Sequence, residues 1–488
     1  MGEKHTLFTP SFNGSLQVEA RPYRLTTEPG AVILREVIDR LGTVDWLVKR
    51  LIDPRRQDLI THPLAELLNT ELLLIGQGWR DRDDADALRD DPAMRLAASS
   101  RRGTTPLDSP TRVDGEPTTK NPPKPEGLAS QPTLSRLGRT LSSEQNRSVL
   151  REGLLETAAR RIKASRRGHR IRHVTIDVDS FPIEVSGHQP GTEYNGHYHA
   201  RIYHPLAAGI AETGDLLDMR LREGNVHTAN GSLGFILPLL DEVEKRIAQV
   251  ATVRFDAGFP EDGLLCALED RGTPYVARIR NNKVLDRMAQ PFLKRPVGRP
   301  TSEPRMWFHE MEYAAEDWSR ERRVVLVVQE KPGELLLHRF WLITNAAIED
   351  LAADELLALY RERGTIEGHF GELMSVIEPA LSSSPRQKSH YRGRAVTEHI
   401  LPGDGFAQNE VILLLNSLAY NIAHAARCLL EQGTKEGVSL STLRERVLRI
   451  AARIVRHANR AVLIIDEAVA PMWLALWSRL SRMRYVEV

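Results

Sequence analysis

Cysteine is nearly absent from this sequence: Cys266 and Cys428 are the only two in 488 residues. That excludes a disulfide framework and cysteine-type zinc sites, and it fits a reducing cytoplasm. No uncharged apolar run of roughly 18 residues occurs, so no membrane span is expected. The opening MGEKHTLFTPSF carries no apolar signal core, so nothing in it argues for export. Excess charge of one sign is missing too: 66 Lys and Arg face 65 Asp and Glu, a formal net charge of +1. Any nucleic-acid surface must therefore be local and balanced by acidic regions elsewhere. Hydrophobic residues make up 41%, enough to give a chain of this length two to four domains with ample cores.

Residues 1–30 read as an arm with short strands, and residues 31–97 carry helical periodicity. The segment 1–100 is therefore expected to be an N-terminal helical module. The acid pairs Asp83–Asp84 and Asp90–Asp91 suit helix starts better than metal ligation. Seven prolines fall among Gly, Ser and Thr between residues 101 and 132, marking 101–143 as a linker or mobile loop. Ser143 then stands as an N-cap before a long helical pattern. That helix ends in a dense basic cluster: Arg160, Arg161, Lys163, Arg166, Arg167, Arg170 and Arg172. Its two readings are a solvated helix face and a contact to a DNA backbone.

Strand-type runs follow at HVTIDVDS (173–180) and ATVRFDAGF (251–259), each carrying an aspartate near its end. Between them lie two further antiparallel strands joined near Glu212–Gly214, then an amphipathic helix over 231–249. A helix in EDGLLCALEDRG and a strand in PYVARIR come next. The order β-β-β-α-β-α-β is that of a ribonuclease H-like sheet. His188, His197, His199 and His204 fall in the second and third strands. Hydrogen-bonded or DNA-facing roles suit them better than zinc. Residues 289–350 hold a β hairpin, RRVVLVVQ and ELLLHRFWLIT, joined by EKPGE. The stretch Leu359–Met374, LYRERGTIEGHFGELM, reads as one helix with Tyr360, Arg363 and Glu367 on a single face. An apolar helix, VILLLNSLAYNIAHAARCLL, lies beyond it. The segment 426–488 reads as helical, with Arg446, Arg449, Arg453, Arg456 and Arg460 stepping along one stripe.

A tyrosine, an arginine and a glutamate on one stripe can handle phosphate and metal together. Arginine offers phosphate a bidentate fork, and carboxylate oxygens suit a hard cation. The plain alternative is a solvated charged face. Two strand-end aspartates and a later helical glutamate are what a two-metal phosphodiester site requires. Asp256 supplies the second aspartate. For the first, Asp177 and Asp179 both stand open. This reading places them on opposite faces of the strand, so that only one ligates metal. Asp179, with Ser180 directly after it, is favoured.

These residues resemble the DDE transposases of bacterial insertion sequences, in the branch with a β-strand insertion and a Tyr-x2-Arg-x3-Glu-x6-Lys signature. Here that signature reads Tyr360, Arg363, Glu367 and Met374, so methionine replaces the lysine. LAELLNTELLLIGQGWRDRDDADALRDDPAMRLA, VSGHQPG, RFDAGF and FWLITN extend the resemblance over most of the chain. It implies an α/β ribonuclease H-like core (144–288 and 351–425), interrupted by a β-rich insertion (289–350) and flanked by N-terminal (1–100) and C-terminal (426–488) helical regions. It implies Asp179 (or Asp177), Asp256 and Glu367 as catalytic acids holding Mg²⁺, with Mn²⁺ able to substitute. Tyr360 and Arg363 would grip phosphate, and Arg166, Arg167 and Arg170 would touch DNA. KRPVGRP, through Arg295 and Arg299, is similar to a minor-groove hook, with a basic loop as its alternative. Trp307 and Trp318 are base-stacking candidates, with core packing as theirs. The implied partners are double-stranded DNA, as inverted-repeat ends and target, and a second copy of the chain. The implied location is the bacterial nucleoid. A nuclease that cuts without joining, and an inactive DNA-binding descendant, are the competing functions.

Overall fold

The computed structural model describes residues 5–8, 11–13, 15–16, 18–20, 23–99, 127–165, 171–185, 187, 189–295, 297, 302–382, 402–457 and 460–485. The chain divides into two compact units. The smaller comprises Met1–Ile38, Arg56–Ser135 and Ala426–Arg482, and the larger comprises Asp39–Arg55, Arg136–Ala425 and Met483–Val488. Among the described residues no helix is long and apolar enough to cross a membrane.

In the smaller unit, helix Leu64–Gln77 is almost wholly buried. Asp91 caps helix Pro92–Ala98, its side chain accepting from the Met94 N–H at 2.9 Å, so this acid starts a helix as its position suggested. The C-terminal segment is not helical throughout. Strands Ala452–His457 and Arg460–Ile465 form a hairpin, and the first of them pairs with Arg24–Thr26. Tertiary pairing overrides helical spacing here, and Ile454, Val455, Val462 and Ile464 are β-branched residues suited to it. The arginine stripe is thereby dispersed. Arg449 pairs with Glu28 at 3.5 Å and covers Trp79, while Arg453 lies over Tyr23.

The larger unit is built on one eight-stranded mixed sheet. Its strands are β1 (His173–Ser180), β2 (Leu206–Ile210), β3 (Leu216–Arg220), β4 (Gln249–Phe255), β5 (Tyr275–Ile279), β6 (Arg305–Tyr313), β7 (Arg322–Glu330) and β8 (His338–Thr344). Its helices include α1 (Glu144–Ala164), α2 (Ser232–Arg246), α3 (Asp262–Arg271), α4 (Ala353–Arg361), α5 (Gly364–Glu372) and α6 (Pro402–Thr434). Ser143 caps α1 by accepting from the Asn146 N–H.

The strand order is β6-β7-β8-β5-β4-β1-β2-β3. The first five strands therefore lie 3-2-1-4-5. β1 and β2 are antiparallel, as are β2 and β3, while β1–β4 and β4–β5 run parallel. This is the ribonuclease H-like arrangement. The inserted strands do not fold apart from it: β8 pairs antiparallel with β5, so β6, β7 and β8 prolong the same sheet. The expected hairpin is β7–β8. The outermost strand β6, RMWFHEMEY, was hidden because an edge strand with one wet face has no continuous apolar run. β7 runs buried for most of its length, and its Val-Val-Leu-Val-Val sequence suits a strand covered on both faces.

Helix α6 is pinned to the sheet by one buried amide. The Asn421 side chain accepts from the Leu216 N–H at 3.0 Å and donates to the Leu216 carbonyl at 2.8 Å, closing the first residue of edge strand β3. Removing it leaves two buried backbone groups unpaired, at roughly 1–3 kcal/mol each. Asn421→Ala is expected to lower unfolding free energy by roughly 2–6 kcal/mol on that basis. Urea denaturation followed by circular dichroism checks it, and a loss below about 1 kcal/mol would contradict the pinning role.

Candidate active site

Parallel strands β1 and β4 end side by side, which brings their acids together. Arg254 sits directly beside Asp177 in the ladder. Its Nε and Nη2 donate to the two Asp177 carboxylate oxygens at 2.6 and 2.7 Å, and both residues are fully buried. Arg254 Nη1 also donates to the Leu359 carbonyl at 2.7 Å, near the end of α4. Asp177 is thus spent on a structural pair.

Asp177 and Asp179 do not occupy opposite faces, which corrects the expectation from sequence. Residues two apart on a strand point the same way, and the charge of Arg363 acts on both. Depth along the strand separates them instead. Asp179 reaches the strand end, where its side chain stays 17% exposed.

Asp256 follows β4 and accepts from the Gly258 N–H at 2.8 Å, an Asx turn that fixes the carboxylate. The region carrying Glu367 is not one helix. It breaks at Glu362–Arg363 into α4 and α5, and continues past Glu372 into a π-helical turn, Leu373–Ile377. Gly364, opening α5, and the tethered Arg363 side chain mark the break. Two glycine-assisted contacts set the position of α5. Ile366 packs on Gly209 of β2, where a Cβ would lie 2.8 Å from its Cδ1, and the His369 ring lies against Gly214. His369 Nδ1 also meets the Tyr420 hydroxyl of α6 at 2.8 Å. Glu367, one residue after Ile366, points outward and is half-exposed. Met374 lies half-buried in the π-helical turn, so no cation comes from that position.

Arg363 lies at the centre. Its Nη2 meets Asp179 Oδ1 at 2.9 Å and its Nη1 pairs with Glu367, while its buried Nε has no partner among the described residues. Burial opposes the guanidinium charge, but Asp179, Glu367, Tyr360 and Asp256 outweigh it and hold Arg363 above its usual pKa. Burial likewise pushes the Asp179 carboxyl up to about 6, with Arg363 and the Ser180 N–H pulling down and Asp256 and Glu367 pushing up. Burial also raises the Tyr360 phenol, against the pull of Arg363 and Arg278.

As the side chains stand, no group of three His, Cys, Asp or Glu among the described residues can hold a metal ion. The donor chemistry nevertheless fits a hard cation: the converging acids offer only carboxylate oxygen, and a guanidinium already supplies the balancing positive charge.

Other sequence candidates are placed differently. Arg160 and Arg161 turn inward, Arg160 to Glu156 and the Leu41 carbonyl, Arg161 to Asp215. Arg166, Arg167, Arg170 and His188 lie outside the described residues, as do Arg299 and most of the Pro-rich segment. Arg295 pairs with Glu330 at 3.4 Å and donates to the Glu334 and Leu335 carbonyls. Trp307 and Trp318 pack against the central core; the first donates to the Phe292 carbonyl, the second stacks edge-on to Tyr313 beneath Arg322. His197 and His199 lie in a turn, and His204 bonds Ser180 and the Val226 carbonyl. The sequence reading missed Arg254, Tyr198 and Arg278. Only Arg254 left a signal, the single charge in strand β4, two residues before Asp256.

The two β1 acids predict opposite stability effects. Asp177→Asn orphans a buried guanidinium and is expected to cost about 3–5 kcal/mol. Burial lifts the folded pKa of Asp179 to about 6 from its ordinary 3.8, so its ionised form opposes folding. That penalty is absent below about pH 4 and complete above about pH 6. Asp179→Asn should therefore gain stability over wild type as pH rises through this window. Urea midpoints at pH 4.5 and 7.5 decide, and an unchanged gap would contradict the charge arrangement.

A solved structure titled as the piggyBac transposase synaptic complex with hairpin DNA resembles this chain at 12% identity and a TM-score of 0.41, covering 95% of this chain and 86% of that one. No curated protein matches it. The family model described as transposase DDE domain group 1 matches residues 8–386, a span that includes β1, β4, α4 and α5. The chain whose strand-end aspartates and helical glutamate gather around Arg363 belongs to the DDE transposases of domain group 1.

Proposed function

We propose that this protein cuts phosphodiesters at the inverted-repeat ends of its own insertion sequence and joins the freed 3′-OH to target DNA. The observation that carries this reading is the convergence of Asp179, Asp256 and Glu367 on one buried arginine. Those three acids are the proposed ligands for Mg²⁺, with Mn²⁺ able to substitute. Bound there, the metal would activate water and stabilise charge on the attacking and leaving oxygens.

The chain's own residues then have separable tasks. Asp177 and Arg254 hold β1, β4 and the end of α4 in register. Arg363 neutralises the acids in the free protein. On DNA binding, its fork turns to non-bridging phosphate oxygens, the Nε that lacks a partner gaining one. Tyr360 lines the same phosphate position. The first reaction is hydrolysis, with water entering at phosphorus as the 3′ oxygen leaves. The second is an in-line attack by that 3′-OH on another phosphodiester. Neither needs a covalent protein–DNA link or ATP. Two copies of the chain, each holding one end, would act on nucleoid DNA in the cytoplasm.

Asp256→Asn and Glu367→Gln keep shape but lose charge, so each should abolish cleavage of end-containing duplexes while leaving end binding near wild type. Retained Mg²⁺-dependent cutting in either purified variant would refute the assignment. Cutting without joined product in a strand-transfer assay would leave a nuclease instead. Arg363→Ala removes charge-assisted bonds worth roughly 1.5–3 kcal/mol, so cleavage on a pre-formed end complex should slow by about ten- to a hundredfold. A wild-type rate would show that phosphate is gripped elsewhere.

A further inference from the structure

Beside the acids stands an aromatic residue with no task in the reading above. Tyr198 belongs to the turn 196–199, between strands Glu193–Asn195 and Ala200–Tyr203. The turn is held in shape at its base. The Asn195 side chain accepts from the His197 N–H at 3.0 Å and donates to the Gly224 carbonyl at 3.1 Å. Arg201 donates to the Thr192 carbonyl at 2.7 Å, and the Tyr203 hydroxyl donates to the Pro190 carbonyl at 2.5 Å. His199, immediately after Tyr198, takes a left-handed backbone with φ of 54°. A non-glycine residue there carries strain, and such strain concentrates at functional sites.

The ring of Tyr198 is fixed on two sides. It meets His197 edge-on at 4.8 Å and His204 edge-on at 6.2 Å. His204 in turn bonds the hydroxyl of Ser180, the residue after Asp179, at 3.1 Å. Tyr198 still keeps 36% of its surface exposed. Its hydroxyl has no hydrogen-bond partner among the described residues. The turn thus sets a half-buried phenol, with its donor unused among the described residues, against His204, which bonds the residue after Asp179.

We propose that Tyr198 is a substrate-contacting residue, its hydroxyl donating a hydrogen bond to a non-bridging phosphate oxygen of the DNA strand held at Asp179 and Asp256. Burial first, then the charges of Asp179 and Asp256, raises the Tyr198 phenol above its usual pKa, so it stays a protonated donor at neutral pH. This contact adds an uncharged donor where the acids themselves repel phosphate. It also offsets part of the cation missing at Met374. The inference rests on the transposase reading of the site.

The experiment compares wild type with Tyr198→Phe, which keeps the ring and its packing. Single-turnover cleavage is measured on pre-bound end DNA carrying either the natural scissile phosphate or each phosphorothioate diastereomer. Tyr198→Phe should cut about ten- to a hundredfold more slowly, with unchanged end affinity and unfolding midpoint. One diastereomer should slow wild type but slow Tyr198→Phe no further, because the same oxygen is removed twice. Equal rates for the two proteins on natural DNA would overturn the proposal alone. Fully multiplicative effects of mutation and sulfur with both diastereomers would overturn it too, by sending the hydroxyl elsewhere. A wild-type protein that cuts no end DNA would overturn it together with the transposase reading.

Discussion

The larger unit depends on one buried ion pair. Arg254 and Asp177 face each other across the β1–β4 ladder with no exposure, and the bond from Arg254 to the Leu359 carbonyl carries that constraint to α4. A charge in a sheet centre must be paired to persist there, because desolvating it alone costs several kcal/mol. The pair therefore specifies which strands are neighbours and how far along they meet. That register brings Asp179, at the end of β1, beside Asp256, the residue after β4. It also fixes where α4 ends, and so where Arg363 and Glu367 begin.

Arg363 adds a second constraint of the opposite kind. The acids around it repel one another, and the raised carboxyl of Asp179 records that repulsion together with burial. The guanidinium between them offsets that repulsion. Arg363 keeps one buried nitrogen without a partner among the described residues, whereas Arg254 spends all three of its nitrogens on Asp177, Glu362 and the Leu359 carbonyl. Two aspartates two residues apart thus pair with different arginines, Asp177 with Arg254 and Asp179 with Arg363.

Near-neutral net charge is also explained locally. Many arginines of the larger unit are matched by acids, among them Arg151 with Asp218, Arg161 with Asp215, Arg322 with Glu269 and Asp262, and Arg323 with Glu310. These pairs tie helices and inserted strands to the sheet. Much of the positive charge counted in the sequence is therefore structural.

The sequence by itself determined the order of elements, because β-branched runs and helical periodicities alternate clearly from residue 143 to 280. It also determined which acids were candidates, since each aspartate closes a strand pattern and Glu367 lies in a helical one. Tertiary structure alone decided the rest. Asp177 and Asp179 are alike in sequence; only the cross-strand position of Arg254 separates a buried pair from an open carboxylate. The break at Glu362–Arg363 joins a local signal, Gly364, to a side chain tethered to a distant strand, which no local propensity encodes. The strands at 452–465 form a sheet with Arg24–Thr26, which pairs with the first of them. Tyr198 sits in a turn whose contact with His204, and through it with Ser180, is supplied by the fold, and local sequence carries no record of that.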